Sequence, residues 1–335
     1  MRAMETAMLR VAFVGALASS FADRVRAHLI VPCEFVHTDE KHATDVLPGV
    51  DVVVTLVFTR EMSAVARRLR LIQVPGAGLD RIDRAAMPPG SSLATVHGHE
   101  TGIAEYVLGA MIALSRDFHG VDAGLRAGRW DSQWAPGVPP PPVWPELAGC
   151  TLGILGYGGI GQAVARRARA FDMRILAIRR DVGRSAEDDL ALLAGMEMLS
   201  EVLQRADYLA ITLPLAPETR GLIGDAQLRL MKPTAILVNV ARAQIVDEDA
   251  LYAALVERRI AGAALDVWYR YPAEPGPLLP ARRPFHELPN VLMTPHVSGW
   301  TDGMMEARAT LIAENIRRTA RGERPENVVP APPIG

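Results

Sequence analysis

The chain has 335 residues, of which 49% are hydrophobic and 22% are charged, and a length of this order predicts two domains. Its formal net charge of −2 argues against nucleic acid or a membrane surface as a partner. Lys41 and Lys232 are the only lysines, which excludes a Gly-Lys-Ser/Thr phosphate loop and disfavours an enzyme that depends on a lysine Schiff base.

The first predicted element, Leu9–Val14, bears on where the protein resides. This apolar run, with a turn at Gly15 and a helical pattern toward His28, predicts a strand followed by a helix. A secretory signal peptide is the alternative, and Glu5 in the preceding segment disfavours it. No apolar run reaches the ~18 residues that a membrane span requires. Because the two cysteines form no Cys-x-x-Cys pair, we expect a reducing, cytoplasmic compartment.

Strand-like apolar runs then alternate with helical patterns, and this order predicts an α/β fold with parallel sheets. Further early strands are predicted at Asp51–Leu56 and Leu71–Val74. The segment Ile103–Arg116 is apolar on almost every side, which predicts a helix buried between domains or subunits. Gly120–Pro145 is rich in tryptophan and proline, so we expect an arm that wraps over a neighbouring surface without forming a regular element.

A glycine-rich turn follows the predicted strand Thr151–Leu155, with the sequence Gly156-Tyr-Gly158-Gly-Ile-Gly161, and a helical pattern begins there. Gly156 permits a tight turn, Gly158 lets a pyrophosphate approach the backbone, and Gly161 lets helix and strand pack closely. The helix N-terminus adds free N–H groups and the positive end of a dipole. This context favours a dinucleotide-binding site over a glycine turn without a ligand.

The next predicted strand, Arg174–Ile178, ends in Arg179 and Arg180. A site for NAD(H) usually has a carboxylate here to accept a hydrogen bond from the ribose 2′-hydroxyl. Two arginines cannot accept, but they can pair with a 2′-phosphate. The position therefore favours NADP(H) over NAD(H), and the alternative is a solvated charge pair at the end of a strand.

A series of motifs accompanies the glycine turn in a set order along the chain. They are Arg126-Ala-Gly-Arg-Trp130, Leu213-Pro-Leu-Ala-Pro-Glu-Thr219, the run from Met231 to Leu251 that contains Val240-Ala-Arg242, Gly262-Ala-Ala-Leu-Asp266-Val, and Leu288-Pro-Asn-Val-Leu-Met-Thr-Pro-His296. In this order they resemble the D-isomer-specific 2-hydroxyacid dehydrogenases, of the type that includes glyoxylate/hydroxypyruvate reductases and phosphoglycerate dehydrogenases. The resemblance covers nearly the whole chain.

The resemblance implies an α/β fold of two Rossmann-like, doubly wound parallel-sheet domains. Residues 1–102 and 300–335 would form a discontinuous substrate domain, and residues 103–299 a dinucleotide-binding domain with a dimerisation helix and the arm. It also implies a homodimer held partly by that helix and arm. The implied activity is hydride transfer between a nicotinamide cofactor and a small 2-keto or D-2-hydroxy acid, and glyoxylate and hydroxypyruvate are typical substrates.

The resemblance also assigns roles to residues. Arg242 corresponds to the family's substrate arginine, His296 to its acid–base histidine, and Asp266 to the aspartate that holds the nicotinamide carboxamide. These residue types suit the chemistry, because a guanidinium can bind a keto acid's carboxylate and carbonyl oxygen and a histidine can protonate that oxygen. The implied substrate-binding set is Ala77, Gly78, His99, Arg242 and His296. The implied cofactor-binding set is Gly156, Gly158, Gly159, Ile160, Gly161, Arg179, Arg180, Leu213, Pro214, Thr219, Val240, Ala241, Arg242, Asp266, His296 and Gly299.

The chain departs from the family pattern at the partner of the histidine. The family has a glutamate five residues beyond the position of Asp266, and this glutamate holds the histidine and raises its pKa. Here that count reaches Tyr271, which is followed by Pro272. Either the carboxylate is missing, or inserted residues transfer its role to Glu274. The sequence leaves both interpretations open.

Three other functions are compatible with parts of the sequence. His97, His99 and Glu100 could begin a metal site, but no Cys or Asp cluster completes it, and we expect no metal. Relatives that oxidise formate or phosphite share the scaffold, although the formate type carries an asparagine where this chain has His99. A dinucleotide-sensing binding protein without catalysis is a further alternative. Aromatic residues predict an aromatic-lined substrate pocket: Trp268, Tyr269, Tyr271 and Trp300.

Overall fold

The computed structural model describes residues 8–137, 139, 143–183 and 190–330. The chain divides into two compact units, one formed by Met1–Gly98 with Thr301–Gly335 and the other by His99–Trp300. The first unit is thus built from both ends of the chain, and the second from one continuous segment.

The first unit contains a five-stranded parallel sheet with the strand order β2-β1-β3-β4-β5. Its strands are β1 (Leu9–Val14), β2 (Cys33–Thr38), β3 (Val52–Thr55), β4 (Leu71–Gln73) and β5 (Ser92–Ala94). Its helices are α1 (Ala16–Ser19), α2 (Ala22–His28), α3 (Ala43–Val46), α4 (Arg60–Val65) and, from the other end of the chain, α11 (Asp302–Arg321). This strand order is that of flavodoxin-like doubly wound sheets. Both faces of such a sheet are covered, and the three valines and the threonine of β3 are accordingly all buried.

The helix α11 returns from the far end of the chain to complete the first unit. The Thr301 side chain accepts a hydrogen bond from Met304 N and caps its N-terminus, and Gly322, with φ of +73°, ends the helix in the left-handed conformation. Met304, Ile312 and Ile316 are buried in the same core as β1 and β3. Burial of this apolar face explains why the last helix belongs to a sheet that begins at residue 9.

The second unit contains a seven-stranded parallel sheet with the order β12-β11-β10-β9-β6-β7-β8. Its strands are β6 (Thr151–Leu155), β7 (Arg174–Ile178), β8 (Leu192–Ala194), β9 (Tyr208–Ile211), β10 (Ile236–Asn239), β11 (Gly262–Leu265) and β12 (Val291–Met293). Its helices are α5 (Glu100–Ser115), α6 (Phe118–Arg126), α7 (Gly159–Arg169), α8 (Leu199–Arg205), α9 (Asp225–Leu228) and α10 (Glu248–Val256). The predicted fold class of two parallel-sheet, Rossmann-like domains is confirmed.

The strand order of the second unit places a ligand site. The chain runs outward from β6 through β7 to β8 and then crosses to β9 on the other side of β6. Open α/β sheets bind ligands beyond the carboxyl ends of their strands at such a switch point. Thr212, just after β9, donates from its hydroxyl to the carbonyl oxygen of Gly156 at 2.7 Å. The glycine turn therefore lies at the switch point.

The long apolar helix is present as α5, and it packs within the second unit against α7 and the strands β10 to β12. Its buried residues include Ile103, Val107 and Met111. The expectation that the arm forms no regular element is wrong at its start, because α6 extends to Arg126. Asp117 caps α6 by accepting from Gly120 N at 3.2 Å, and the prolines begin only beyond the helix. Residues 138 and 140–142 of the arm lie outside the described residues.

No helix among the described residues is both long and apolar enough to cross a membrane.

Candidate active site

The glycine turn has the geometry that a dinucleotide pyrophosphate requires. Gly156 has φ of +106°, and a Cβ atom there would lie 2.7 Å from Leu213 N, so only glycine fits. A Cβ at Gly161 would collide with the carbonyl oxygen of Gly156. At Gly158 a Cβ would meet nothing within 4 Å, which leaves the backbone open to a ligand at the start of α7. Gly159, beside it, is exposed and Ile160 is half-buried. These residues fit a nicotinamide dinucleotide.

The end of β7 carries the two arginines that bear on cofactor choice. Arg179 is half-buried directly after the strand, whereas Arg180 is exposed and its guanidinium lies 3.0 Å from a Glu218 carboxylate oxygen. Across the switch point, Leu213 is half-buried and Pro214 exposed. Thr219 is buried, and its hydroxyl donates to Pro214 O at 2.8 Å, so it shapes this loop from within.

Arg242 follows the carboxyl end of β10 on a segment that Asn239 holds in place. The buried Asn239 side chain accepts from Ala241 N at 3.0 Å and donates to Arg242 O at 3.1 Å. Val240 and Ala241, between them, are buried. The Arg242 side chain is half-buried, and its guanidinium donates to Ala241 O at 2.7 Å. Asn239 is a positioning residue that sequence reasoning missed, although it stands inside the motif.

His296 is exposed just beyond β12 in a strained backbone conformation. Its φ of +60° is left-handed, which costs a non-glycine residue on the order of 1–3 kcal/mol. Nδ1 of its ring lies 2.8 Å from the Tyr271 hydroxyl. That hydroxyl also accepts from Trp268 N at 3.3 Å, so its own proton can be donated to Nδ1. Tyr271 therefore contacts the histidine, and Glu274 lies exposed further along the segment.

Asp266, just after β11, is fully buried and anchors the segment around His296. One carboxylate oxygen accepts from Val297 N at 2.8 Å and from the Thr294 hydroxyl at 2.7 Å. The other accepts from Ser298 N at 2.9 Å. The structure thus shows that Asp266 binds the backbone next to His296. The resemblance implies a second role for it, a contact with the nicotinamide carboxamide. The strain at His296 is held by these bonds on both sides of it.

The remaining predicted residues fall in two places. His99, at the start of α5, is buried, and a Cβ built on Gly299 would lie 3.3 Å from the His99 Cβ, so these two residues of the second unit are neighbours. In the first unit Ala77 is exposed and Gly78 half-buried, after the end of β4. Among the described residues no group of three or more His, Cys, Asp or Glu side chains could hold a metal ion.

The aromatic pocket predicted from the sequence needs correction. Trp268 is buried in the core of the second unit, where its indole N–H donates to Thr294 O at 2.8 Å. Tyr269 packs against the same core and donates to Val246 O at 2.9 Å, and burial raises its pKa. These two rings therefore belong to the core of the second unit and do not line a substrate pocket. Tyr271 and Trp300 are exposed.

Comparison with known proteins decides the family. The family described as D-isomer specific 2-hydroxyacid dehydrogenase, NAD binding domain, matches residues 108–298, which include the glycine turn, Arg242 and His296. The chain belongs to the D-isomer-specific 2-hydroxyacid dehydrogenases. As a member of this family it is an oxidoreductase that uses a nicotinamide cofactor. The resemblance inferred from the motifs is confirmed.

Individual relatives agree with this assignment. The chain is 38% identical to a glyoxylate reductase from Pyrococcus furiosus over 84% of its own length and 82% of that protein. It is 37% identical to a D-3-phosphoglycerate dehydrogenase from Methanocaldococcus jannaschii over 82% of its own length, but it spans only 50% of that longer protein. Among solved structures, the TT0316 protein from Thermus thermophilus has a TM-score of 0.79 at 30% identity, covering 96% of this chain and 100% of that one. A Granulicella formate dehydrogenase has a TM-score of 0.74 at 29% identity, covering 89% and 80%.

Proposed function

We propose that this dehydrogenase reduces small 2-keto acids of the glyoxylate and hydroxypyruvate class to 2-hydroxy acids, with the D configuration wherever C2 of the product is a stereocentre. The observation that carries the proposal is the placement of Arg242 after β10 and His296 after β12, two parallel strands separated by β11 in the sheet that also bears the glycine turn. The similarity to glyoxylate reductases supports the same substrate class.

Each residue has a defined part in this proposal. Hydride would come to the carbonyl carbon from a nicotinamide cofactor whose pyrophosphate the glycine turn from Gly156 to Gly161 would hold. The Arg242 guanidinium binds the substrate carboxylate and polarises the carbonyl oxygen, because its planar fork can donate to both. His296 donates a proton to the carbonyl oxygen from Nε2, since Nδ1 faces the Tyr271 hydroxyl. Ala77, Gly78 and His99 are proposed to contact the substrate, as the family pattern implies.

A panel of substrates tests the proposal. Initial rates would be measured with glyoxylate, hydroxypyruvate, pyruvate and phenylpyruvate as oxidants of NADH and NADPH. We expect the highest kcat/KM with glyoxylate or hydroxypyruvate. Oxidation of formate or phosphite with NAD⁺ or NADP⁺ would be measured in parallel, because a formate dehydrogenase shares the fold. Turnover of those anions without reduction of any keto acid would contradict the proposal, and cofactor binding without any turnover would favour a sensor.

The contact between Tyr271 and His296 leads to a prediction on pH dependence. Reduction requires the imidazolium, and a neighbouring carboxylate favours that form whereas a tyrosine hydroxyl carries no charge near neutral pH. Tyr271→Glu is therefore expected to raise the upper apparent pKa of kcat/KM for reduction, so that activity persists to higher pH. Tyr271→Phe is expected to lower the rate by roughly tenfold through loss of one hydrogen bond.

Glu274→Gln is the matched control, and its pH profile is expected to overlay that of the wild type. A Glu274→Gln profile with a lowered upper pKa, combined with an unchanged Tyr271→Phe, would assign the histidine's partner to Glu274 instead.

We also propose that the cofactor is preferentially NADP(H), on the basis of Arg179 and Arg180. Arg179 directly follows the carboxyl end of β7 and is half-buried, so it is the arginine chosen for the test. Arg179→Asp should lower the preference for NADPH over NADH by roughly ten- to hundredfold, the value of one charged hydrogen bond of about 1.5–3 kcal/mol. Arg174→Asp, at the opposite end of β7, is the control for the change of charge. Equal use of both cofactors by the wild type, unchanged in Arg179→Asp, would reject the preference.

A homodimer in the cytoplasm completes the proposal. Trp130 and Trp134 of the arm are 61% and 82% exposed in the single chain. Large exposed aromatic side chains are typical of protein–protein interfaces, and we propose that a second subunit covers these two. Both cysteines are free thiols, as suits a reducing compartment. Sedimentation at twice the 36.3 kDa mass of the chain is the expected result, and a monomer would contradict the dimer.

A further inference from the structure

A chain of hydrogen bonds connects the long helix α5 to the segment that carries His296. The hydroxyls of Tyr106, on α5, and of Thr294, after β12, are 2.7 Å apart. The Thr294 hydroxyl donates its single proton to Asp266 at 2.7 Å. Tyr106 must therefore be the donor to Thr294, and the bonds run in one direction from helix to carboxylate.

The carboxylate at the end of this chain holds the backbone on the far side of His296. The same oxygen of Asp266 that accepts from Thr294 also accepts from Val297 N, and the second oxygen accepts from Ser298 N. Thr294 and Val297 bracket the histidine in the sequence, so one carboxylate oxygen ties both sides of it together. His296 N donates back to Thr294 O at 3.0 Å, which closes a tight turn around the left-handed residue.

We propose that Tyr106 and Thr294 are positioning residues for reduction, which hold the backbone of His296 in its strained conformation through Asp266. This inference rests on the proposed function in so far as His296 is the proton donor. Neither hydroxyl has to touch the substrate or the cofactor. They act on the position of the His296 imidazole. Displacement of a proton donor by a fraction of an ångström lowers kcat and leaves substrate affinity nearly unchanged.

Tyr106, the first residue of this chain of hydrogen bonds, remains a hydrogen-bond donor at every pH of interest. Burial and the nearby charge of Asp266 raise the pKa of Tyr106 to about 12, against a lowering by the Thr294 bond. Tyr106 therefore keeps its proton throughout the pH range of an assay. Since α5 is also packed against α7 and the sheet, the donor is fixed by a rigid element rather than by a loop.

The test uses variants that interrupt the chain of hydrogen bonds at each hydroxyl, and each variant is examined by two measurements. Tyr106→Phe and Thr294→Val each remove one hydroxyl, whereas Thr294→Ser retains it. Tyr208→Phe is the matched control, because its hydroxyl bonds to the Ser115 hydroxyl at 2.8 Å in the same unit and away from this segment. Hydrogen exchange of the peptide that contains Val297 and Ser298 reports on the segment without substrate. Steady-state reduction of glyoxylate with NADPH reports on catalysis.

We expect Tyr106→Phe and Thr294→Val to accelerate amide exchange in that peptide and to lower kcat roughly five- to tenfold, with KM within about twofold of the wild type. The double variant should be no slower than Thr294→Val, because both changes break one chain. Thr294→Ser and Tyr208→Phe should resemble the wild type in both readouts.

Two results would overturn the proposal. One is a Tyr106→Phe variant with wild-type exchange and wild-type kcat. The other is an equal loss of kcat in Tyr208→Phe, since that would indicate a general effect of losing a buried tyrosine hydroxyl. A wild type that reduces no keto acid would reject the proposed function instead, and the exchange data would then decide by themselves whether Tyr106 and Thr294 hold the segment.

Discussion

Replacing His296 with alanine is expected to lower kcat for 2-keto acid reduction by roughly 10²–10⁴-fold, the range for loss of a positioned general acid. The substrate's carbonyl oxygen takes up negative charge as hydride arrives, and without the imidazolium only water can protonate it. The loss belongs to the transition state, so KM should change little. His296→Gln would separate proton donation from simple contact, because glutamine can donate a hydrogen bond but cannot transfer a proton readily.

The control for this variant is cofactor binding, measured by quenching of tryptophan fluorescence or by calorimetry with NADPH. In the proposed arrangement the glycine turn makes the main contact with the cofactor, so the dissociation constant should remain within a few-fold of the wild type. A His296→Ala enzyme with near-normal turnover would show that another group supplies the proton.

Replacing Arg242 with alanine is expected to lower kcat/KM by roughly 10²–10⁴-fold. Two charge-assisted hydrogen bonds, each of about 1.5–3 kcal/mol, are lost between the guanidinium and the keto acid. In the proposed role the side chain binds the carboxylate in the ground state and the carbonyl oxygen in the transition state, so KM should rise and kcat should fall together. Arg242→Lys keeps the charge but loses the planar fork, so its kcat/KM should be intermediate.

Arg205→Ala removes an exposed arginine that pairs with Glu201 on α8, and it is the matched control with wild-type kinetics expected. A rise in KM without any change of kcat in Arg242→Ala would restrict the arginine to ground-state binding of the carboxylate. Unchanged kcat/KM would remove it from the site.

Much of the fold followed from local patterns. The bounds of β6 and β7 agree with the predicted strands, because buried parallel strands are short apolar runs that end at recognisable turns. The glycine turn could likewise be predicted, since the strand, the glycine spacing and the following helix are contiguous in the sequence. The helix α6 was missed because the proline-rich composition of the arm outweighed a short helical pattern at its start.

The site was predictable only in part, because its remaining features are long-range contacts. Whether Tyr271 or Glu274 faces His296 depends on how the segment after β11 folds back, and the structure places the Tyr271 hydroxyl there. The bond from Tyr106 to Thr294 joins residues 188 positions apart, and no local pattern records it. Trp268 was assigned to a pocket by its aromatic character, whereas its indole N–H and its burial make it part of the core.

The configuration and isotopic labelling of the product show whether the protein transfers hydride to a 2-keto acid to give the D isomer. Hydroxypyruvate would be incubated with the enzyme and with NADPH or NADH labelled with deuterium at the reactive C4 position. We expect D-glycerate that carries one deuterium at C2. Formation of L-glycerate would contradict this expectation. So would glycerate that lacks deuterium at C2 with both cofactors, the one labelled at the pro-R hydrogen of C4 and the one labelled at the pro-S hydrogen.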